Sequence, residues 1–214
     1  MKDFPFFPTE YGVAGLVLKQ IPYRGEAYIT VQDTQPDQLE LLLNECAGFC
    51  RMAGAERIYA TGHDGLERYP LHTAVVEMRG EVRVDPDHTE CLFPVTEETV
   101  GQWRQIYNDK MRPVDCAAIL AASDEKKILS SGGAYFVHRD GELLGIGWLE
   151  ENSLLAVCAV KGGAGMAVMQ TLMSLVEEEQ LVLEVASTNE RAIRLYEKLG
   201  FLKVKETKRW YKIG

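Results

Sequence analysis

The chain has 214 residues, 46% of them apolar and 26% charged, with a formal charge of −9 from 32 acidic against 23 basic side chains. That composition suits one or two globular domains with ordinary hydrophobic cores. It argues against partners that need a basic surface, nucleic acid and anionic membranes above all, and favours cationic ones such as amines.

No apolar run nears the ~18 residues of a membrane span. Residues 1–10 lack the basic-then-apolar layout of a signal peptide. The five cysteines, Cys46, Cys50, Cys91, Cys116 and Cys158, form no Cys-x-x-Cys and have no histidine placed to complete a zinc set. A reduced, cytoplasmic chain without a metal is the expectation. Cys46 and Cys50 sit at helical spacing and read as small apolar fillers.

In chain order, Tyr11–Lys19 and Glu26–Asp33 read as strands around a turn at 22–25. A helix then carries Leu39, Leu42, Leu43, Cys46, Phe49, Cys50 and Ala53 at helical spacing and closes at Gly54. Arg57–Thr61 is a buried strand, 62–70 a loop, and Leu71–Met78 another strand. The polar stretch 79–90 is the expected domain boundary. It divides an N-terminal α/β domain, residues 1–90, from a second domain, residues 91–214.

The second domain opens with a strand at Cys91–Pro94. A helix follows, on which Val100, Trp103, Tyr107 and Met111 recur at helical spacing. A short helix is expected at 114–122 and a loop at 126–133. Ala134–His138 and Leu143–Leu149 form a hairpin around Asp140-Gly141. Leu154–Val160 and Leu181–Ala186 are nearly continuous apolar runs, the mark of strands covered on both faces. Between them lie a glycine-rich link, Lys161–Gly165, and a helix expected to run through Glu179. Asn189 caps a further helix that ends at Leu199-Gly200-Phe201. Strands fill 201–213. The fold class is therefore α/β (α+β), with a mixed, mostly antiparallel sheet around a central parallel βαβ pair.

A glycine-rich turn between a buried strand and a helix is a candidate phosphate cradle, since exposed amides and the helix dipole both favour an anion. Gly163, Ala164, Gly165 and Met166 would supply the amides and Lys161 a cation. Glycines there serve a plain tight turn equally well.

The stretch Leu183–Phe201, with Asn189, Ala192, Tyr196 and Gly200-Phe201 at its core, resembles the signature of the GCN5-related N-acetyltransferase (GNAT) superfamily. Leu183-Glu184-Val185, with a tyrosine twelve residues after the glutamate, is most similar to the ribosomal-protein N-terminal alanine acetyltransferase branch. The resemblance implies an acetyl-CoA site in a splayed opening between the strands at 154–160 and 181–186. The pantetheine arm would lie along Val157, Cys158, Ala159 and Val160. The diphosphate would sit on Lys161, Gly162, Gly163, Ala164, Gly165 and Met166. Asn189 and Ala192 would frame the site. Tyr196 matches the general acid for the departing thiolate, and Glu184 the general base.

The residue types suit that chemistry. An alkyl ammonium of pKa ~10.4 must lose a proton before it attacks, and a carboxylate can start that transfer. A phenol of pKa ~10 can protonate a thiolate. No metal is required. Read without the resemblance, Tyr196 could equally be core, Glu184 a paired structural carboxylate, and Asn189 only a cap. Trp103, Tyr107 and Trp148 could line an acceptor pocket or simply pack. Lys203, Lys205, Lys208, Arg209 and Lys212 read as a solvated edge.

The expected activity is acetyl transfer to a small-molecule or protein amine, with a homodimer allowed. The alternative is a non-catalytic acyl-CoA binder or assembly module. The turn favours it, because Val157–Lys161 lacks the family's proline and following Gln or Arg. Transfer of a larger acyl group also stays open. The N-terminal half repeats the strand–helix–strand order and reads as a degenerate second copy, a tandem arrangement, or as an unrelated cap domain. Its turn, Asp33-Thr34-Gln35-Pro36-Asp37, has two acids and no glycine, so this half is not expected to bind CoA.

Overall fold

A computed structural model describes residues 6–83 and 89–213. The expectations for residues 1–5 and for 84–88 within the boundary segment lie outside the described residues. In chain order the elements begin with β1 (Phe6–Thr9), β2 (Gly12–Val17), α1 (Ile21–Arg24), β3 (Glu26–Thr34) and α2 (Leu39–Met52). Next come β4 (Arg57–Thr61), β5 (Leu71–Glu81), β6 (Cys91–Pro94), α3 (Val100–Met111) and α4 (Glu125–Ser131). The remainder are β7 (Ala134–Arg139), β8 (Glu142–Glu150), β9 (Ser153–Ala159), α5 (Gly165–Met173), β10 (Gln180–Ala186), α6 (Glu190–Lys198) and β11 (Leu202–Lys212).

Two compact units result: residues 1–75 with 206–214, and residues 76–205. The sequence reading places the division at 90/91 instead. The difference has a plain cause. β11 returns to the first unit, where Tyr211 and Lys212 pair antiparallel with Ala60 and Tyr59 of β4. No local pattern announces so distant a partner.

In the first unit the strand order is β1-β2-β3-β4-β11-β5. α2 forms because its apolar residues share a face; Leu39, Leu42, Leu43, Cys46, Ala47 and Cys50 are buried. That face packs on Ala27, Ile29, Val31, Ile58 and Ala60 of the parallel pair β3–β4. Leu42 is fully buried, so its truncation to Ala should cost about 2–5 kcal/mol. An aromatic layer holds other residues of these strands. Tyr28 meets Tyr59 at 5.5 Å and Trp210 at 5.0 Å, and Tyr59 stacks on His72 at 4.1 Å.

In the second unit the order is β11-β5-β10-β9-β8-β7-β6. Two cores flank this sheet. One joins α5 and α6 to Leu154, Leu181, Leu183 and Val185. The other joins α3 and α4 to Phe136, Ile146, Trp148, Ala156 and Cys158. The mixed, mostly antiparallel sheet with a parallel β9–β10 pair is the expected fold class.

Two expected helices move. The short helix lies at 125–131, not 114–122. Asp124 accepts the Ala121 amide at 2.8 Å, the Asn108 side chain clamps Leu120 from both sides, and Gly132 ends the helix. α5 stops at Met173 rather than Glu179. Ser174 bonds back to the Thr171 carbonyl, and Glu177, Glu178 and Glu179 would oppose the negative end of a longer helix.

Candidate active site

β9 and β10 run parallel but pair only at Ser153↔Val182 and Leu154↔Leu183. β9 continues to Ala159 and β10 to Ala186, so the strands part after their second pair. The cause is local. On the other side of β9 the register with β8 jumps from Leu149↔Leu154 to Trp148↔Ala156. Leu155 is therefore an extra, bulged residue, and it is exposed. A bulge bends its strand and increases its twist. It also resets the phase of the side chains. Leu154 and Val157 pack with α5 and α6, whereas Ala156 and Cys158 pack with α3 and α4.

The turn after β9 has a divided set of amides. Val160 and Lys161 both donate to the Leu144 carbonyl, and Ala164 donates to Lys161. Among the described residues, the Gly162, Gly163, Gly165 and Met166 amides have no backbone partner. They surround the N-terminus of α5, where partial positive charge collects. Gly163 adopts φ +83°, a conformation that side chains rarely take, and a Cβ there would meet nothing within 4 Å. The space beside the turn is open. Lys161 points its charge elsewhere, since its ammonium pairs with Glu142, whose carboxyl it holds below the usual range. Lys110 of α3 instead reaches the Val160 carbonyl, at 3.4 Å.

Tyr196 lies on α6, in the core shared with α5. Its ring leans on Phe201 at 5.9 Å. Burial raises its pKa far above the ordinary phenol value, and the nearby Cys158 thiol adds to the rise. It therefore stays protonated across the physiological range. The residue is buried, and no described group hydrogen-bonds its hydroxyl. Asn189 caps α6 by accepting the Ala192 amide at 3.3 Å. Ala192 packs at the edge of the same core.

Glu184 is exposed, whereas Leu183 and Val185 beside it are buried toward α5 and α6. By strand alternation its side chain leaves the opposite face of the sheet. Tyr196 and Glu184 thus flank β9 and β10 from opposite sides. Burial also pushes the Cys158 thiol and the Tyr107 phenol up to about 12 each.

Several aromatic candidates are core. Trp103 donates to the Tyr135 carbonyl at 3.1 Å and Trp148 to Ser131 at 2.9 Å, and both are buried. The basic terminal stretch is largely neutralised: Lys203 pairs with Glu197, Lys205 with Glu77, and Arg209 with Glu206 and Glu67. Sequence reasoning missed Leu155, whose bulge hides in a uniformly apolar run. It also missed Asp115, which accepts the Thr188 hydroxyl at 2.7 Å and fastens the α3–α4 segment beside Glu184's strand. Among the described residues no group of three or more His, Cys, Asp or Glu is placed to hold a metal ion, and no helix is long and apolar enough to cross a membrane.

This fold class is shared with acetyltransferases of known structure. A GCN5-related N-acetyltransferase from Kribbella flavida is 13% identical over 98% of this chain and 88% of its own, with a TM-score of 0.59. A functionally unknown conserved protein from Staphylococcus epidermidis is 10% identical over 98% and 93%, with a TM-score of 0.62. A tandem GNAT protein from the clavulanic acid biosynthesis pathway is 12% identical over 94% and 78%, with a TM-score of 0.54. At such identities the likeness is one of fold. No curated protein matches the sequence. The model of the acetyltransferase (GNAT) family, however, matches residues 87–201, more than half of the chain. The chain belongs to the GNAT acetyltransferase family.

Proposed function

We propose that the chain transfers an acetyl group from acetyl-CoA to a primary amine by direct attack in a ternary complex. The parting of β9 and β10 after Leu154 and Leu183 carries this reading. It frees one edge of β9 to pair with an amide-bearing arm, next to a turn with unused amides and open space. The residues present thus fit the co-substrate, apart from Lys161.

Acetyl-CoA supplies the thioester whose acyl carbon accepts the amine. Glu184 takes a proton from the ammonium, directly or through water, so that the nitrogen regains its lone pair. Backbone N–H groups of β9 beyond Leu155 are the donors available to the carbonyl oxygen. As the carbon–sulfur bond breaks, Tyr196 gives its proton to the sulfur and regains one from the acylated nitrogen. Glu184 returns its proton to solvent. The balance is one ammonium and one thioester to one amide, one thiol and one proton.

The likeness to the ribosomal-protein alanine acetyltransferase branch supports the base role of Glu184. It leaves the acceptor open among a protein N-terminus, a lysine, an amino acid and a small cationic amine. The test is thiol release from acetyl-CoA across an amine panel, together with a thermal shift. CoA at 100 times its dissociation constant should add about 2.7 kcal/mol. A shift without turnover on any amine would favour the non-catalytic binder. No shift at millimolar CoA would favour an assembly role.

A further inference from the structure

A turn that receives a diphosphate needs more than amides. The N-terminus of α5 offers only about half a positive charge, and the diphosphate carries more than one negative charge. The obvious cation, Lys161, belongs to the turn itself but is held by Glu142. Moving it onto a ligand would break that pair and leave a carboxylate close to the incoming anion.

A second ammonium stands at the same place from another element. Lys110, on the last turn of α3, bonds to the carbonyl of Val160, the residue that opens the turn. At 3.4 Å this contact is long, and its acceptor is neutral. Among the described residues, Lys110 has no carboxylate within ion-pairing distance. Lys110 is exposed and Val160 only half-buried, so the side chain can swing at little cost. Its charge also reaches along β9, where it opposes the burial-driven rise of the Cys158 thiol.

Resting on the acetyl-CoA reading of the site, we infer that Lys110 is the cation that meets the diphosphate at the Gly162–Met166 turn. The charge this turn lacks in its own sequence then comes from α3. The ammonium exchanges a neutral carbonyl for a phosphate oxygen, a stronger, charge-assisted partner.

Isothermal titration of the full chain tests this with CoA, dephospho-CoA and pantetheine. Lys110→Met should weaken CoA and dephospho-CoA alike, by roughly 10-fold, and should not weaken pantetheine, which has no phosphate. Lys110→Arg should recover most of the loss. Lys161→Met should lose less than Lys110→Met. Unchanged CoA binding by Lys110→Met would overturn the assignment. A loss confined to CoA would also overturn it, because it would place Lys110 on the 3′-phosphate. Equal weakening of pantetheine would mark a packing effect and overturn it too. If the wild-type chain bound neither CoA nor dephospho-CoA, the acetyl-CoA reading itself would fall, and this assignment with it.

Discussion

Each unit contains a strand–helix–strand crossover with a parallel pair, and the two pairs differ in how far they stay paired. β3 and β4 stay paired through five positions, from Glu26↔Arg57 to Thr30↔Thr61. β9 and β10 part after two. The first pair is fastened at its start by a network around the buried Glu26 carboxylate. Glu26 accepts Arg24 Nε at 2.8 Å, Arg57 at 3.2 Å and the Tyr28 hydroxyl at 2.7 Å. Just past the end of β4, Gly62 adopts φ +98°, and a Cβ there would lie 2.5 Å from the Val31 carbonyl. Gly163, also left-handed, faces open space. One topology thus yields a closed pair and an open one, and the inserted Leu155 marks the open one. Opening, rather than strand order, separates the proposed ligand site from its closed counterpart.

The largest expected effect follows from Tyr196. Replacing it with Phe keeps the packing against Phe201 but removes the proton, so the turnover number should fall roughly 10²–10⁴-fold. Unchanged thiol release would show that the open pair is not using this acid. Next, deleting Leu155 should restore a regular ladder and let β10 pair further along β9. Loss of about two backbone hydrogen bonds to the ligand corresponds to roughly 100-fold weaker CoA binding. Calorimetry of the deletion variant would refute the bulge as cause if the affinity held. The wild-type titration should also give one CoA per chain, because only the second of these two pairs is open among the described residues. A second site would break the contrast outright.

Smaller effects sharpen it. Gly62→Ala should cost more stability than Gly163→Ala, by about 1–3 kcal/mol, in urea unfolding. Both carry the strain of a left-handed residue, but only the first meets a carbonyl. Equal losses would mean the closed pair tolerates a side chain there.

The mildest test is thiol chemistry. Burial pushes Cys46 and Cys158 up to about 12 and Cys50 up to about 11. The reactive thiolate is the deprotonated form, so a raised pKa removes it at neutral pH. At pH 8 only ~10⁻⁴ of a thiol with pKa 12 is ionised. Exposed Cys91 should therefore alkylate first in peptide mapping. Half-buried Cys116 should follow, then Cys50 as pH rises toward 11, and CoA should slow Cys158 but not Cys46 or Cys50. Fast labelling of Cys158 at pH 8 would contradict its burial.

Much of this arrangement was legible in the residues. The strand, glycine turn, helix and strand from 154 to 186 follow from continuous apolar runs and a glycine cluster. Asn189 as a cap follows from its place before a helical repeat, and the tyrosine at 196 from the family signature. The opening itself was less legible. Leu154–Val160 is apolar throughout, so an extra residue leaves no break in the pattern. The pairing of Lys161 with Glu142 joins residues on different elements, and side-chain type does not reveal it. The helix at 125–131 was missed because Lys126 and Lys127 look like loop residues, whereas Asp124 and Asn108 fix its start through contacts formed only on folding.

Tyr211 on β11 packs into the core of the first unit beside Leu42 and Ile58. During synthesis the chain emerges from its amino end, so β1–β4 must wait for β11 before their sheet has all its strands. Long loop closures of this kind slow folding. Removing residues 210–213 would therefore injure a part of the molecule that was made well before them.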